Sequence, residues 1–165
     1  MVPVVERVIP VPPGQVFAIL RDGWSYSDWV VGTQHIRDVD DDWPRPGASL
    51  YHTLGPWPFI AIKGRSTVLT CDEPYELSLR AGLWPAGEAH VTFKLTPLED
   101  GSTRVTFSEE FSAGPLRTMR NRLNDLILSW RNREALRRLA DLAVNRGSTT
   151  SAGEAPRREP ARSHW

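Results

Sequence analysis

A single acidic side chain on an apolar strand face is the strongest candidate for chemistry in this sequence. Residues 103–111 alternate between apolar and polar types and so predict a strand with one face in a core. Glu109 falls on the apolar face, whose other members are Val105, Phe107 and Phe111. A carboxylate in a core costs several kcal/mol unless it is paired or protonated. Two interpretations stay open: an ion pair with an arginine such as Arg131 or Arg133, or a ligand anchor or general acid/base.

A histidine on another predicted strand is the second candidate. Residues 48–54 also alternate, and His52 lies between Leu50 and Leu54 on one face. An imidazole in that position either anchors a polar group of a ligand or is a core side chain satisfied by hydrogen bonds. The sequence alone leaves both roles open.

Motifs for metals, nucleotides and nucleophilic catalysis are absent from the sequence. The 4 histidines are scattered and do not have the spacing of metal ligands. Glycine-rich nucleotide loops, Walker loops and nucleophile elbows are also missing, so the sequence predicts neither a metal nor a cofactor. Cys71, the single cysteine, precludes an internal disulfide and fits a reducing compartment.

Composition argues against two large classes of partner. Lys+Arg and Asp+Glu both number 20, which gives no net charge to attract nucleic acid or an anionic membrane. No apolar run approaches the ~20 residues of a membrane helix, and the first residues do not form a signal peptide. We therefore expect a cytoplasmic protein, monomer or homodimer, that binds no nucleic acid and does not insert into membranes.

Turns rich in proline, glycine and aspartate separate the alternating segments, which predicts one antiparallel sheet with helices on one side. The predicted strands are residues 4–10, 33–40, 48–54, 59–71, 76–83, 88–96 and 103–111. Two short helices are expected after the first strand, at residues 15–21 and 25–29.

The last regular element is predicted to be one long amphipathic helix over residues 115–145. Pro115 suits a first helical turn, and Gly147 supplies a stop. At 1.5 Å per residue such a helix is ~45 Å long, enough to cross a small domain. Residues 1–145 are thus predicted to form one domain, followed by a disordered tail at 146–165. Spacings of three and four predict a single apolar face: Leu116, Met119, Leu123, Leu126, Ile127, Trp130, Leu139, Ala140 and Ala143.

The order of these segments resembles the START-like (SRPBCC) superfamily of polyketide cyclases and lipid-transfer proteins. The resemblance spans residues 4–145. It rests on Val-Ile-Pro at 8–10, Pro-Gly-Gln-Val-Phe at 13–17, a turn from Asp22 to Trp29, Asp-Glu-Pro-Tyr-Glu-Leu at 72–77 and Gly-Ser-Thr-Arg-Val-Thr at 101–106.

The resemblance implies an α+β helix-grip fold, in which a curved antiparallel sheet of about seven strands wraps around the C-terminal helix. It also implies an internal cavity that binds a small hydrophobic ligand, whether aromatic, polyketide or lipid-like. The alternative is a polyketide aromatase/cyclase that uses acid/base groups in the cavity. In such enzymes an inward arginine and an inward tyrosine contribute to the chemistry. Arg65 and Arg80 have outward parity here, so neither matches that role.

Within that fold the inward residues become candidates for the ligand site, which typically has a volume of ~300–1,000 Å³. For each of them the alternative is ordinary packing in the core, and no catalytic residue can be named. The candidates are Trp24, Tyr26, Trp29, His52, Trp57, Phe59, Ser66, Phe107, Glu109, Met119, Leu123 and Trp130.

Overall fold

The computed structural model describes residues 4–55, 62–83, 87–113 and 122–152. The strands within these ranges are β1 (Val4–Ile9), β2 (Thr33–Val39), β3 (Ser49–Leu54), β4 (Ile62–Asp72), β5 (Glu76–Leu83), β6 (Gly87–Pro97) and β7 (Thr103–Ala113). The helices are α1 (Pro13–Arg21), α2 (Tyr26–Trp29), which follows a 3-10 turn at Gly23–Ser25, and α3 (Arg122–Ala152).

The strands form one sheet in the order β1-β7-β6-β5-β4-β3-β2. Every pair of neighbours is antiparallel. The sheet curves around α3, and two short helices follow β1, so the predicted helix-grip fold is confirmed. Both edges of the sheet, β1 and β2, come from the first part of the chain, which brings α1 and α2 next to α3.

Alternation along β7 and the first part of β4 sorts the side chains as the sequence predicts. On β7, Glu109 is 6% exposed and Phe107 is buried, whereas Glu110 faces solvent. On β4, Lys63 and Arg65 face solvent while Gly64 and Ser66 are buried. The predicted register of β7, on which the interior position of Glu109 depends, is therefore confirmed.

In the turn before α2, the small residues Gly23 and Ser25 pack inward, one on each side of Trp24. Gly23 approaches β2 so closely that a Cβ on it would lie 2.8 Å from a methyl carbon of Val39. Ser25 is buried, and its hydroxyl donates its one hydrogen towards the backbone carbonyls of Asp22 and Ile19, at 2.8 and 3.1 Å. Trp24 lies between these two inward residues and is 56% exposed.

Helix α3 has two apolar faces, where the sequence predicts one. The buried face packs against β1, β7, α1 and α2, and its members are Leu128, Asn132, Ala135, Leu136, Leu139, Ala140 and Ala143. The opposite face exposes Leu126, Ile127 and Trp130. The predicted single face combined residues from both sides of the helix. Leu139 follows Trp130 by nine residues, a step that turns about 180° around a helix and so places the two on opposite sides. That part of the prediction is wrong.

The helix also continues past the residue predicted to end it. α3 runs through Gly147 to Ala152, so the predicted stop is wrong and residues 146–152 are helical. Gly147 lies against α1, where any side chain would overlap the amide of Gln15. That amide donates a hydrogen bond of 2.8 Å to a carbonyl of α3 and ties the two helices together. Residues 153–165 lie outside the described residues, and their predicted disorder stays a prediction.

Truncating one leucine on each face of α3 tests this placement of the helix. Leu136 is 1% exposed and Leu126 is 62% exposed. We expect Leu136→Ala to lower the free energy of unfolding by about 2–5 kcal/mol, because it leaves a cavity in the core. Leu126→Ala is the matched control and should change it by less than about 0.5 kcal/mol. Chemical denaturation measures both, and equal losses would contradict the assigned faces.

Candidate functional site

A cavity lies between α2, the inner face of the sheet and the first half of the described part of α3. Its volume is about 90 Å³. That is room for several water molecules or a small organic group, but it is below the volume that the resemblance predicts. The lining is mostly apolar: Val30, Val31, Ile36, Leu50, Leu54, Leu79, Ala81, Val91, Phe93, Phe107 and Ala135, with Tyr26, Trp29, Thr33, His52, Ser66, Glu109, Arg131 and Asn132 as the residues that carry polar groups.

Aromatic rings in tilted and edge-on contact fix one wall of the cavity. The ring centroids of Tyr26 and Trp29 are 4.7 Å apart on α2, and Trp29 meets Phe93 edge-on at 5.7 Å. Phe93 in turn packs on Phe107 of the neighbouring strand at 4.6 Å. These contacts connect α2 to the centre of the sheet and hold the indole of Trp29 at the cavity.

The tyrosine of this wall has its hydroxyl engaged in the fold. Tyr26 Oη donates a hydrogen bond of 3.0 Å to the carbonyl of Leu20 at the end of α1. Burial raises the pKa of the Tyr26 phenol well above its ordinary value, with smaller contributions from nearby Cys71 and Asp22. Its hydroxyl therefore stays protonated and holds α2 against α1.

The predicted inward histidine lies on β3 and contacts a serine of the neighbouring strand β4. His52 Nε2 and Ser66 Oγ are 3.1 Å apart, and both residues line the cavity. The ring fits only because Gly64 faces it on β4, where a Cβ would lie 2.8 Å from Nδ1. Burial, with a smaller contribution from the positive charge of Arg37, lowers the pKa of His52 to about 4. The imidazole is therefore neutral at pH 7.

The interior carboxylate is paired with an arginine of α3. Glu109 on β7 accepts a hydrogen bond from the guanidinium of Arg131, which selects Arg131 over Arg133 as the partner. The side chain of Glu109 is 7% exposed and that of Arg131 is 34% exposed. Glu109 is thus the more deeply buried member of the ion pair. Arg131 also donates to Asn132 Oδ1 from Nε at 3.3 Å and from a terminal nitrogen at 3.2 Å.

Three polar atoms of the lining have no hydrogen-bond partner among the described residues. They are the indole nitrogen of Trp29, Nδ1 of His52 and Nδ2 of Asn132. These are the buried side-chain polar atoms without a partner in the part of the chain that the structure describes, and all three residues line this one cavity. Because buried polar groups are nearly always hydrogen-bonded, their convergence marks the cavity as a place for a polar partner.

The structure brings together half of the twelve predicted site residues: Tyr26, Trp29, His52, Ser66, Phe107 and Glu109. Trp24 and Trp130 lie outside the cavity and are 56% and 63% exposed, so their predicted place in the lining is wrong. Trp24 is turned outward by the packing of its neighbours, and Trp130 is on the outer face of α3. Trp57, Phe59, Met119 and the side chain of Leu123 lie outside the described residues. That any of the twelve binds a ligand stays a prediction.

Sequence reasoning missed the polar residue that α3 contributes to the cavity. Asn132 is 1% exposed and lies one helical turn before Leu136 and one after Leu128, both on the buried face. Because Leu128 and Leu136 are each four residues from Asn132, their positions on the helix would have placed Asn132 on the same face. Arg131 was predicted as a partner of Glu109, but its own place in the lining was not.

Two kinds of feature are missing from the part of the chain that the structure describes. No cluster of three or more His, Cys, Asp or Glu side chains has an arrangement that could hold a metal ion. No described helix combines the length and apolarity needed to cross a membrane.

The sequence matches the profile of one protein family, polyketide cyclase / dehydrase and lipid transport, over residues 3–144. No curated protein matches the chain. The match covers every described strand and most of α3, including all residues that line the cavity.

Several solved structures have a similar fold. A protein from Arthrobacter aurescens has a TM-score of 0.68 and 17% identity, and the alignment covers 86% of this chain and 85% of that one. Protein NE0264 from Nitrosomonas europaea has a TM-score of 0.66 and 18% identity, with 88% and 95% covered. DynU16, from the dynemicin biosynthetic locus, has a TM-score of 0.62 and 18% identity, covering 84% of this chain and 45% of its own. At such identities the likeness concerns the fold alone.

The pKa of His52 predicts a loss of stability in mild acid. Below pH 6.5 the unfolded chain binds a proton at this histidine, whereas the folded protein does not until about pH 4. The free energy of unfolding should therefore fall by about 3 kcal/mol more in the wild type than in His52→Gln as pH drops across that window. Urea denaturation at pH 7 and pH 4 measures the difference. His90→Gln, at an exposed histidine, is the control, and the same fall in wild type and His52→Gln would contradict the depressed pKa.

Proposed function

The chain belongs to the polyketide cyclase / dehydrase and lipid transport family, and on that premise we propose that it binds a small, mainly apolar ligand in the cavity beside α3. The observation that carries the proposal is the set of three unpartnered buried polar atoms in a mostly apolar lining. Ligand sites have this composition, with apolar walls for affinity and a few placed polar groups for orientation.

The volume of the cavity limits the ligand. At about 90 Å³ it suits the end of a ligand, and a whole ring enters only with a small movement of the lining, since a cavity that binds benzene has about 150 Å³. A longer polyketide or a lipid chain would have to displace lining side chains such as Leu54 or Ala81, both of which are only partly buried. We therefore favour a compact ligand over an extended acyl chain.

The setting proposed for this activity follows from the composition. A single cysteine suits a reducing compartment such as the cytoplasm, and Cys71 is free. Zero net charge gives no general attraction to nucleic acid. Action as a monomer or homodimer is part of the same proposal.

The second candidate function is that of an aromatase/cyclase. Neutral His52 with an unpartnered Nδ1 in the cavity favours it, since such an imidazole can take a proton from a substrate. A locus of natural-product biosynthesis, that of DynU16, also holds a protein of similar fold. Against it, a pKa of about 4 makes His52 a weak base at neutral pH, and the hydroxyl of Tyr26 is already engaged. Binding is the function that the geometry supports better.

Filling the cavity tests the proposal. Ala135 is 3% exposed and lines the cavity, so Ala135→Leu puts three more carbon atoms into it. Ala18→Leu makes the same change at an exposed position of α1 and is the matched control. The probes are acetophenone and cumene, single-ring molecules titrated by calorimetry at pH 7.

We expect both probes to bind the wild type and Ala18→Leu alike. Ala135→Leu should weaken both at least about tenfold, because the ring loses its space. Failure of both probes to bind the wild type, or equal affinities in the wild type and Ala135→Leu, would contradict ligand binding in this cavity.

A further inference from the structure

The amide of Asn132 has only one possible orientation. Arg131 is a pure hydrogen-bond donor, so the side-chain atom of Asn132 that it contacts at 3.2 and 3.3 Å has to be the oxygen. The NH₂ group is therefore turned away from Arg131. It has no hydrogen-bond partner in the described part of the chain, and Asn132, which is 1% exposed, lines the cavity.

The arginine that orients this amide is itself held by Glu109. The ion pair fixes the guanidinium between β7 and α3, and it also offsets the positive charge beside the cavity. An anionic ligand would bring a second negative charge close to the Glu109 carboxylate. The cavity thus carries a paired charge and does not offer a free cation to an anion.

The remaining polar groups of the lining are donors or adaptable. The indole nitrogen of Trp29 can only donate a hydrogen bond, and the NH₂ of Asn132 likewise. His52 can present either a donor or an acceptor at Nδ1, depending on its tautomer. The carboxylate of Glu109, the charged acceptor of the lining, is already paired with Arg131, so an acceptor on the ligand would satisfy the two fixed donors.

We propose that Asn132 is a specificity-determining residue, which selects neutral ligands that carry a hydrogen-bond acceptor such as a carbonyl, and that Glu109 and Arg131 are positioning residues for its amide. This inference rests on the proposed function, because it concerns the same cavity. It names the chemical class of the ligand: a compact apolar body with an uncharged oxygen acceptor.

Three probes of similar size separate the possible classes. Acetophenone carries a neutral carbonyl, cumene has the same branched shape without an acceptor, and benzoate is an anion. We expect the wild type to bind acetophenone about five- to tenfold more tightly than cumene and benzoate, the gain that one or two buried hydrogen bonds give. The affinity for cumene serves as an internal control for damage to the apolar walls.

Two variants then test the assigned roles. Asn132→Asp keeps an oxygen for Arg131 but replaces the free donor by an acceptor. It should therefore lower the preference for acetophenone over cumene at least about threefold, while the affinity for cumene itself changes less than about twofold. Glu109→Gln uncovers the charge of Arg131 and should raise the affinity for benzoate at least about tenfold. Glu110→Gln, at the exposed neighbour on β7, should change none of the three.

The outcomes distinguish the failure of this inference from that of the proposed function. Equal binding of acetophenone and cumene by the wild type, or benzoate as its tightest probe, overturns the selectivity and leaves ligand binding intact. A preference for acetophenone that Asn132→Asp leaves undiminished overturns the role of Asn132. Absence of binding by all three probes overturns both proposals. Should Asn132→Asp fail to fold, the wild-type ranking and the response of benzoate to Glu109→Gln decide.

Discussion

Burial of one face of α3 against the sheet is the constraint on which the rest of the structure depends. Leu136, Leu139 and Ala143 are at most 1% exposed, and they fix the rotation of the helix about its axis. With that rotation fixed, Asn132 has to face inward, and Arg131 beside it reaches Glu109. The chemistry of the cavity therefore follows from the apolar packing of the same helix.

The polar groups inside the cavity are not explained by stability alone. A buried ion pair is often no better for stability than apolar residues of the same volume, because both charges lose their hydration. The unpartnered nitrogens of Trp29, His52 and Asn132 add a further cost. Sites that break the local rules of a core in this way are commonly functional. The concentration of all three atoms at one cavity is what favours a ligand over a purely structural interpretation.

The sheet could be predicted from the sequence because its signal is local. Alternation alone placed Glu109 and His52 inside, and both positions are confirmed. The buried face of α3 was harder to predict, since the helix carries apolar residues on two opposite faces. Spacing alone does not indicate which of the two faces contacts the sheet. Trp130 was assigned to the wrong face for that reason. Asn132 was missed because a polar residue on a helix normally faces solvent, and only the phase of the buried leucines places it inside.

Other features depend on contacts between distant parts of the chain. Gly147 has the residue type of a helix stop, yet in the fold it is the point where α3 passes close to Gln15 of α1. Trp24 was expected at the cavity, and the close packing of Gly23 and Ser25 turned it to solvent. The volume of the cavity depends on how all lining side chains interlock, which no local pattern encodes.

The most direct measurement is an NMR titration of the side-chain N–H groups that line the cavity. The chain has 7 tryptophans, and Trp29→Phe identifies the indole resonance of Trp29 among them. On addition of acetophenone, the Trp29 indole proton and the side-chain NH₂ of Asn132 should move downfield as they donate to the carbonyl, while the exposed indoles of Trp24 and Trp130 stay in place. Saturable shifts at the exposed indoles, with the resonances of Trp29 and Asn132 unchanged, would contradict a ligand site in this cavity.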